Sequence, residues 1–233
     1  MMIGYYDYTM ILTYLSLVSA GTGIIVSLSG HSHPFIGIFF LMFSGFCDAF
    51  DGKVARTKKD RTPKECKYGM HLDSLSDIVA FGMLPACIGS ALIKTSPYLR
   101  NTLDIYDGSF RAAAIHVALN AILVFYVLCA LIRLAYYNVT EEERINSNEG
   151  PRKYYEGLPV TNSALIFPTV MLFQYITRMD ITLVYFVVAL ITAFLFITRF
   201  KVAKVGLKGT IVCVLIGAAI FALMLIYRYV INK

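Results

Sequence analysis

Charged residues are scarce in this chain, and that scarcity excludes the protein classes that need many of them. Only 15% of the 233 residues are charged, whereas 58% are hydrophobic and the mean hydropathy is +0.65. Soluble domains are typically about 45–50% apolar, so the composition excludes an ordinary soluble domain and predicts a membrane protein. The sequence also has no internal repeat, no low-complexity segment and no nucleic-acid-binding motif.

The cysteines do not form the pattern of a thiolate metal site. The chain has five cysteines, at no metal-like spacing, and four of them lie in or beside apolar runs. We interpret them as small buried apolar residues. The first residues contain no basic region and no small-residue cleavage site, so we expect no signal peptide.

Seven apolar runs occupy most of the chain. Each is close to the ~20 residues that a helix needs to cross a bilayer. We therefore predict an all-α fold, a polytopic bundle of membrane helices that forms one domain over residues 1–233. The predicted runs are Met10–Ser29, Phe35–Val54, Tyr68–Ile93, Arg111–Tyr137, Pro159–Ile176, Ile181–Thr198 and Gly209–Ile231.

The positive charges collect in three loops, at residues 56–67, 140–158 and 199–208. All three fall on the same side of the predicted bundle. Because basic loops stay on the cytoplasmic side of a membrane, this side is predicted to face the cytoplasm. The net charge of +6 then reflects topology and attraction to anionic lipids, and no nucleic-acid partner is expected.

Two pairs of aspartates lie where the second and third runs meet the basic 56–67 loop. Asp48 and Asp51 share one helix face, and so do Asp73 and Asp77. Two facing helices would gather all four carboxylates in a small volume, where like charges need a counter-charge. A divalent metal held by oxygen ligands is the simplest one. Ionisable residues within membrane segments are functional by default.

The residues beside the aspartates favour a phosphate ligand. Gly52 would let a ligand approach the backbone, and Ala55 lies on the same face as Asp51. Arg56 offers a rigid fork of donors that suits phosphate. Gly69 stands one turn before Asp73. Together with the carboxylates, these residues indicate a metal-bound diphosphate.

This pattern resembles the signature of the CDP-alcohol phosphatidyltransferases. The resemblance extends over about residues 10–200, which implies a six-helix catalytic core there and an accessory transmembrane helix at about 209–231. The stretch between Arg56 and Gly69 is longer than in the family pattern, which lengthens the basic loop. The residues that carry the resemblance read Asp48-x-x-Asp51-Gly52-x-x-Ala55-Arg56 and then Gly69-x-x-x-Asp73-x-x-x-Asp77.

The resemblance implies a role for each of these residues. The four aspartates would hold two ions of Mg²⁺ or Mn²⁺, and Asp77 would also act as the general base. A CDP-diacylglycerol-type lipid would be the donor and CMP the leaving group. The family also implies a homodimer in the cell membrane, with its active site facing the cytoplasm. The residues assigned to binding of the CDP-lipid are Gly52, Ala55, Arg56 and Gly69.

Three further segments resemble the phosphatidylserine synthase branch of the family. They are Leu72–Asp77 with its downstream Phe81-Gly82, the stretch from Arg133 to Asn138, and Glu156–Pro159. The resemblance implies L-serine as the acceptor. Arg133 would pair with the serine carboxylate, and Asn138 would form a hydrogen bond to it.

Other functions are compatible with parts of the pattern. The same chemistry could use glycerol 3-phosphate or inositol phosphate, which should require additional basic residues facing the aspartates. A cation transporter lined by acidic residues would not need the set formed by Gly52, Ala55, Arg56 and Gly69. A structural scaffold would leave the four aspartates without a purpose.

Overall fold

The computed structural model describes residues 4–29, 33–147, 154–177, 179–203 and 207–226, and most of them are helical. A π-helical segment, Ile78–Met83, joins α3 to α4, and two short strands, β1 (Tyr154–Glu156) and β2 (Lys201–Ala203), form an antiparallel ribbon. The helices are α1 (Ile11–Leu28), α2 (Pro34–Ala55), α3 (Pro63–Asp77), α4 (Leu84–Thr95), α5 (Pro97–Asn101), α6 (Phe110–Asn146), α7 (Ser163–Thr177), α8 (Thr182–Ile197) and α9 (Leu207–Ile226).

The predicted polytopic helical bundle is confirmed. Four helical stretches are long and apolar enough to cross a membrane, and three shorter apolar helices correspond to the last three predicted runs. With 15 and 16 residues, α7 and α8 fall short of the ~20 residues expected of a simple span. The four long stretches are Tyr8–Leu28, Pro34–Ala55, Pro63–Thr95 and Phe110–Arg144. The end of the last predicted run, 227–231, lies outside the described residues.

Helix α3 begins earlier than the hydropathy of the sequence predicts. The apolar run was placed from Tyr68, but the helix begins at Pro63. Thr62 caps it: the Thr62 hydroxyl accepts a hydrogen bond from the backbone N–H of Glu65, whose carboxylate accepts one from the backbone N–H of Thr62. This capping box satisfies two helix-end donors and outweighs the polar composition of the first turns. The basic loop is therefore confined to residues 56–62.

Pro85 affects the geometry of the third membrane stretch in the segment that directly follows Asp77. A proline has no N–H to offer the carbonyl four residues earlier, which is that of Phe81. The helix widens here into a π segment, and the Tyr126 hydroxyl donates to the Phe81 carbonyl at 2.7 Å. The Tyr126 hydroxyl also lies 2.7 Å from that of Ser163, so the freed carbonyl is satisfied inside the bundle. Such π segments are frequent at functional sites.

Small and hydroxyl-bearing residues allow α1 and α2 to pack closely. The Ser19 hydroxyl donates to the Phe40 carbonyl at 2.9 Å, and the Ser44 hydroxyl donates to the Ser16 carbonyl at 3.0 Å. A Cβ atom on Gly23 would lie only 2.8 Å from the Phe40 Cβ atom. Membrane helices associate through small residues and interhelical hydrogen bonds of this kind, because lipid supplies no hydrophobic drive between them.

The cysteines follow the sequence interpretation with one exception. Cys47 and Cys129 are buried, and Cys87 and Cys213 are partly buried. Cys66 is exposed, because it lies in the polar first turns of α3 that the early helix start adds. None of the five is in a disulfide within the described part of the chain.

Helix α6 is longer than predicted and carries polar residues beyond the apolar run. It has 37 residues, about 55 Å at 1.5 Å per residue, whereas the hydrocarbon core is about 30 Å thick. The sequence predicts a charged loop from residue 140, but the helix continues to Asn146, so Asn138 lies well within it. An Arg144–Glu141 ion pair three residues apart supports this extension.

The β1–β2 ribbon joins the two loops on either side of the α7–α8 pair. Tyr154 pairs with Ala203, and Glu156 with Lys201. The ribbon ends at Gly157, which has a φ of +79° and whose N–H donates to the Phe200 carbonyl at 2.7 Å. Glycine is needed here, because any side chain would be strained at this φ and its Cβ would lie 2.9 Å from the Thr198 carbonyl oxygen.

Asp180 connects the α7–α8 turn to the start of α5. Its carboxylate accepts hydrogen bonds from the Ser96 hydroxyl and from the backbone N–H groups of Tyr98 and Thr182. Burial raises the pKa of this carboxyl, but the hydrogen bonds from Ser96, Thr182 and Tyr98 outweigh burial and lower it below its usual value. The ionised form therefore stabilises the fold at neutral pH.

We predict that Asp180→Asn lowers the thermal stability of the detergent-solubilised protein. The amide presents donors to groups that already donate, which should cost about 1–3 kcal/mol. The control is Asp104→Asn, the same isosteric change at an exposed side chain in the preceding loop. The difference in Tm between wild type and Asp180→Asn should shrink as the pH falls through the acidic pKa of Asp180. Equal Tm values for all three proteins at neutral pH would contradict the role of this carboxylate.

Candidate active site

The carboxylates of the two aspartate pairs meet between α2 and α3. Oxygens of Asp48, Asp73 and Asp77 all lie within 4.8 Å of one another. The Asp51 carboxylate lies beside that of Asp73 and completes the group. Asp77 is only 8% exposed, and Asp51 is buried to a similar degree. The structure thus assembles the four carboxylates, as expected from two facing helices.

Helix α1 supports this group through Thr13, a residue that the sequence analysis did not single out. The Thr13 hydroxyl donates to the Asp51 carboxylate at 3.2 Å. The Thr13 carbonyl accepts a hydrogen bond from the Ser76 hydroxyl at 3.3 Å, next to Asp77 on α3. One residue of α1 therefore links both carboxylate-bearing helices. A lone threonine in an apolar run carries no spacing signal, so only the packing shows this role.

The carboxylate group has the properties of a divalent cation site. The Asp73 Oδ1 atom is buried and has no hydrogen-bond partner among the described residues. Within the described ranges, no lysine or arginine forms an ion pair with any of the four carboxylates. Buried carboxylates that repel one another and have a free oxygen are stabilised by a positive ligand, and hard oxygen donors suit Mg²⁺ or Mn²⁺.

Three predicted binding residues border the carboxylates at the end of α2. No atom lies within 4 Å of the position that a Cβ atom on Gly52 would occupy, so this side of α2 is open. Ala55 is partly buried, and Arg56 is exposed where the helix ends. Arg56 forms no ion pair with a described carboxylate. The open backbone and the unpaired guanidinium leave space and charge for a phosphate ligand.

The space beside Gly69, where the sequence predicts binding of the CDP-lipid, is occupied by the Arg61 side chain. A Cβ atom there would lie 2.7 Å from the Arg61 Nη2 atom. Arg61 Nη2 donates to the Glu65 carbonyl at 3.2 Å, while its Nε atom is buried without a partner. Arg61 lies in the basic 56–67 loop, and no motif in the sequence singles it out. The extra length of that loop is the sequence signal that could have singled out Arg61.

The N-terminal segment is anchored to the same loop. The Lys58 ammonium contacts the Asp7 carboxylate at 2.8 Å, and the hydroxyls of Tyr8 and Thr57 lie 3.1 Å apart. The hydrogen bond from Lys58 lowers the pKa of Asp7, and the same bond raises the pKa of Lys58. Both groups are therefore ionised at neutral pH, and they hold residues 4–10 beside the end of α2.

The two residues assigned to the acceptor lie on α6 and already have protein partners. Arg133 is 5% exposed, donates from Nε to the Leu158 carbonyl at 3.3 Å and lies over the Tyr137 ring. Asn138 accepts a hydrogen bond from the Ser74 hydroxyl at 2.9 Å, next to Asp73. Asn138 is thus tied to the helix that bears the second aspartate pair, and Arg133 is tied to the segment that follows Gly157.

Comparison with known proteins identifies the family. The model of the CDP-alcohol phosphatidyltransferase family matches residues 8–197. A CDP-diacylglycerol–serine O-phosphatidyltransferase from Saccharomyces cerevisiae is 36% identical over 143 residues, which cover 60% of this chain and 43% of the yeast protein. An archaetidylserine synthase from Methanothermobacter thermautotrophicus is 27% identical over 154 residues, covering 65% of this chain and 53% of that protein.

The chain therefore spans about half the length of the curated relatives it matches. The family match contains α1 to α8, including the carboxylates between α2 and α3, and it ends before α9. Because this match extends over most of the sequence, the chain belongs to the CDP-alcohol phosphatidyltransferase family.

Proposed function

We propose that this protein transfers a phosphatidyl or archaetidyl group from a CDP-activated lipid to the hydroxyl of L-serine and releases CMP. The observation that carries the proposal is the group of four carboxylates, with Asp48, Asp73 and Asp77 within 4.8 Å of one another. The names of both relatives support serine as the acceptor, since one is a serine O-phosphatidyltransferase and the other an archaetidylserine synthase.

The carboxylates would hold the metal of this reaction, which we propose to be two ions of Mg²⁺ or Mn²⁺. Asp48, Asp51 and Asp73 would be ligands, and Asp77 would share the second ion. When bound, the metal neutralises the diphosphate and stabilises the charge that develops on the leaving CMP. The unpartnered buried oxygen of Asp73 supports this assignment.

The protein residues would orient the substrates and move one proton. Asp77, nearly buried within the carboxylate group, would accept the proton of the serine hydroxyl as general base. The serine oxygen then forms a bond to the lipid-bearing phosphorus as the bond to CMP breaks. Arg56 would bind the diphosphate, and the open side at Gly52 with the small Ala55 would leave room for the cytidine end. Gly69 would complete this surface, together with Arg61.

The acceptor pocket would lie between α3 and α6. Asn138 stands there through its hydrogen bond to Ser74, one residue from Asp73. Arg133 would pair with the serine carboxylate while its Nε atom holds the Leu158 carbonyl. A guanidinium has five donors in a fixed fork, so it can serve both partners.

The chain is a multi-pass membrane protein, and we propose that it lies in the cell membrane as a homodimer with its active site facing the cytoplasm. The basic residues of the 56–62 loop and of early α3 lie on the side of the bundle that carries the carboxylates. Basic loops remain on the cytoplasmic side, where serine is dissolved. We treat residues 1–233 as one membrane domain, with a catalytic core at about 10–200.

We predict that the purified protein releases CMP from a CDP-activated lipid with Mg²⁺ and L-serine. CDP-diacylglycerol and its ether-linked counterpart serve as donors, and glycerol 3-phosphate, inositol phosphate and no acceptor serve as comparisons. Asp77→Asn should lower kcat by about 10²–10⁴ and keep most of the metal-dependent stabilisation, since the other three aspartates remain. Release of CMP with glycerol 3-phosphate but not with serine would refute serine as the acceptor. Full activity of Asp77→Asn would refute the role of Asp77 as general base.

We predict that Mg²⁺ raises the Tm of the wild-type protein and that EDTA reverses the increase. Asp73→Asn removes one charge and the unpartnered oxygen, so its apparent affinity for Mg²⁺ should fall at least about tenfold, or 1.4 kcal/mol. Asp60→Asn, in the exposed loop, is the matched control and should behave as wild type. Electron paramagnetic resonance with Mn²⁺ measures the same affinities. Equal binding by both variants would contradict the metal site.

We predict that Arg133→Ala raises the KM for serine more than the KM for the CDP-lipid. Arg133→Lys keeps a charge but loses the bidentate fork, so it should restore only part of the serine affinity. Arg199→Ala is the control, because Arg199 lies over the Tyr136 ring in the same region. If Arg133 only holds Leu158, its loss should lower the Tm and change both KM values equally, which would contradict the serine role.

A further inference from the structure

Arg61 is partly buried, and the hydrogen-bond donors of its guanidinium are only partly used. Its Nη2 atom donates to the Glu65 carbonyl at 3.2 Å, whereas its Nε atom is buried and has no hydrogen-bond partner among the described residues. A guanidinium carries five N–H groups, and a buried one that meets no acceptor is unfavourable. The unused side of Arg61 is therefore suited to an anionic ligand.

The carboxylate of Glu65 does not neutralise the charge of Arg61. It accepts hydrogen bonds from the backbone N–H of Thr62 at 2.7 Å and from the Thr62 hydroxyl at 2.8 Å, and it lies 3.5 Å from the Lys58 ammonium. Within the part of the chain that the structure describes, Arg61 forms no ion pair. Its positive charge is thus available to an anion from outside the chain.

Gly69 provides the place on α3 where the Arg61 guanidinium lies. A Cβ atom on Gly69 would lie only 2.7 Å from the Arg61 Nη2 atom, so a side chain at this position would displace the guanidinium. Gly69 and Asp73 are four residues apart and share one face of the helix, about 6 Å apart along its axis. The Arg61 cation therefore lies on the face of α3 that bears the carboxylates, one turn before Asp73.

We propose that Arg61 is a further catalytic residue, whose guanidinium binds the phosphate that leaves as CMP, and that Gly69 is small so that Arg61 can lie beside it. The inference rests on the proposed function, in which Asp77 takes the proton of the attacking serine. On α3, Gly69, Asp73 and Asp77 follow one another at intervals of one turn. Arg61 therefore lies at the end of the carboxylate group that is farther from Asp77, on the side of the leaving phosphate.

The leaving phosphate is the group on which negative charge increases during the transfer. As the serine oxygen forms its bond to the lipid-bearing phosphorus, the bond from this phosphorus to the bridging oxygen breaks. The bridging oxygen leaves with the CMP phosphate, which gains one negative charge, and the serine proton goes to Asp77. A guanidinium fork binds phosphate oxygens and stabilises such a charge. The family motif does not include Arg61, which follows Arg56 in the longer loop.

The first test compares the binding of CMP with that of cytidine, which lacks the phosphate. Isothermal titration of the detergent-solubilised protein with Mg²⁺ present measures both. Arg61→Ala should weaken CMP binding at least about tenfold, as expected for a lost charge-assisted hydrogen bond, and should leave cytidine binding unchanged. Arg61→Lys keeps the charge without the fork and should recover part of the CMP affinity. Lys59→Ala removes an exposed charge from the same loop and should behave as wild type.

Equal losses of CMP and cytidine affinity in Arg61→Ala would overturn the proposal, because they would indicate a structural role through Glu65 alone. Stronger binding of CMP by Arg61→Ala would overturn it as well, since the side chain would then block the ligand. The Mg²⁺-dependent increase in Tm should be the same in Arg61→Ala as in wild type, which shows that the variant folds.

Gly69→Ala tests whether this glycine provides the place for Arg61. The added methyl group displaces the guanidinium, so the substitution should weaken CMP binding at least about threefold when Arg61 is present and leave it unchanged in the Arg61→Ala background. Equal losses in both backgrounds would show that the methyl group acts on the ligand directly. That result would overturn the assignment of Gly69 as the place for Arg61.

Turnover with CDP-diacylglycerol and saturating serine separates this inference from the proposed function. Arg61→Ala should lower kcat at least about tenfold, because the charge on the leaving phosphate develops only during the reaction. If transfer to serine is equally fast in wild type and Arg61→Ala, the proposed function stands and this inference fails. If Arg61 supports CMP binding but the wild type transfers nothing to serine, the acceptor assignment fails and the contact of Arg61 with the CMP phosphate stands.

Discussion

Mutual repulsion of four carboxylates beside the membrane interior is the constraint on which the rest of this structure depends. Carboxylates that lose water and stand close together favour unfolding unless other groups hold or neutralise them. Asp51 receives a hydrogen bond from Thr13, whereas the Asp73 Oδ1 atom has no partner. The fold thus supports the group only partly, and the free oxygen is what makes the group suitable for a cation.

The helices around the carboxylates hold them in place by irregular means. Pro85 frees the Phe81 carbonyl, and the helix widens into a π segment directly after Asp77. The buried Tyr126 hydroxyl takes over that carbonyl and ties α6 to the third membrane stretch. A regular helix through this stretch would turn Asp77 differently relative to the residues that follow it. The local irregularity therefore connects the position of the Asp77 carboxylate to the packing of the whole bundle.

The two surfaces of the site differ in character, which suits the proposed reaction between a lipid and a dissolved alcohol. Toward the loops lie the open backbone at Gly52 and the guanidinium groups of Arg56 and Arg61, neither of which forms an ion pair within the described part of the chain. Toward the bilayer, Asp48 lines one end of an apolar groove between α2 and α7, and α9 forms the outer wall of this groove.

The fold class, the seven apolar runs and the four aspartates could be predicted from the amino-acid sequence alone. Hydropathy and helical spacing are local properties of the chain, so a single sequence carries them. The start of α3 was also encoded locally, in the Thr62–Glu65 capping box, but hydropathy alone placed it at Tyr68. Other features are visible only in the tertiary structure. They are the contacts of Thr13 and Arg61, the partner of the Phe81 carbonyl, and the position of α9 along the groove beside α2. These features depend on contacts between residues far apart in the chain, which no spacing in a single sequence specifies.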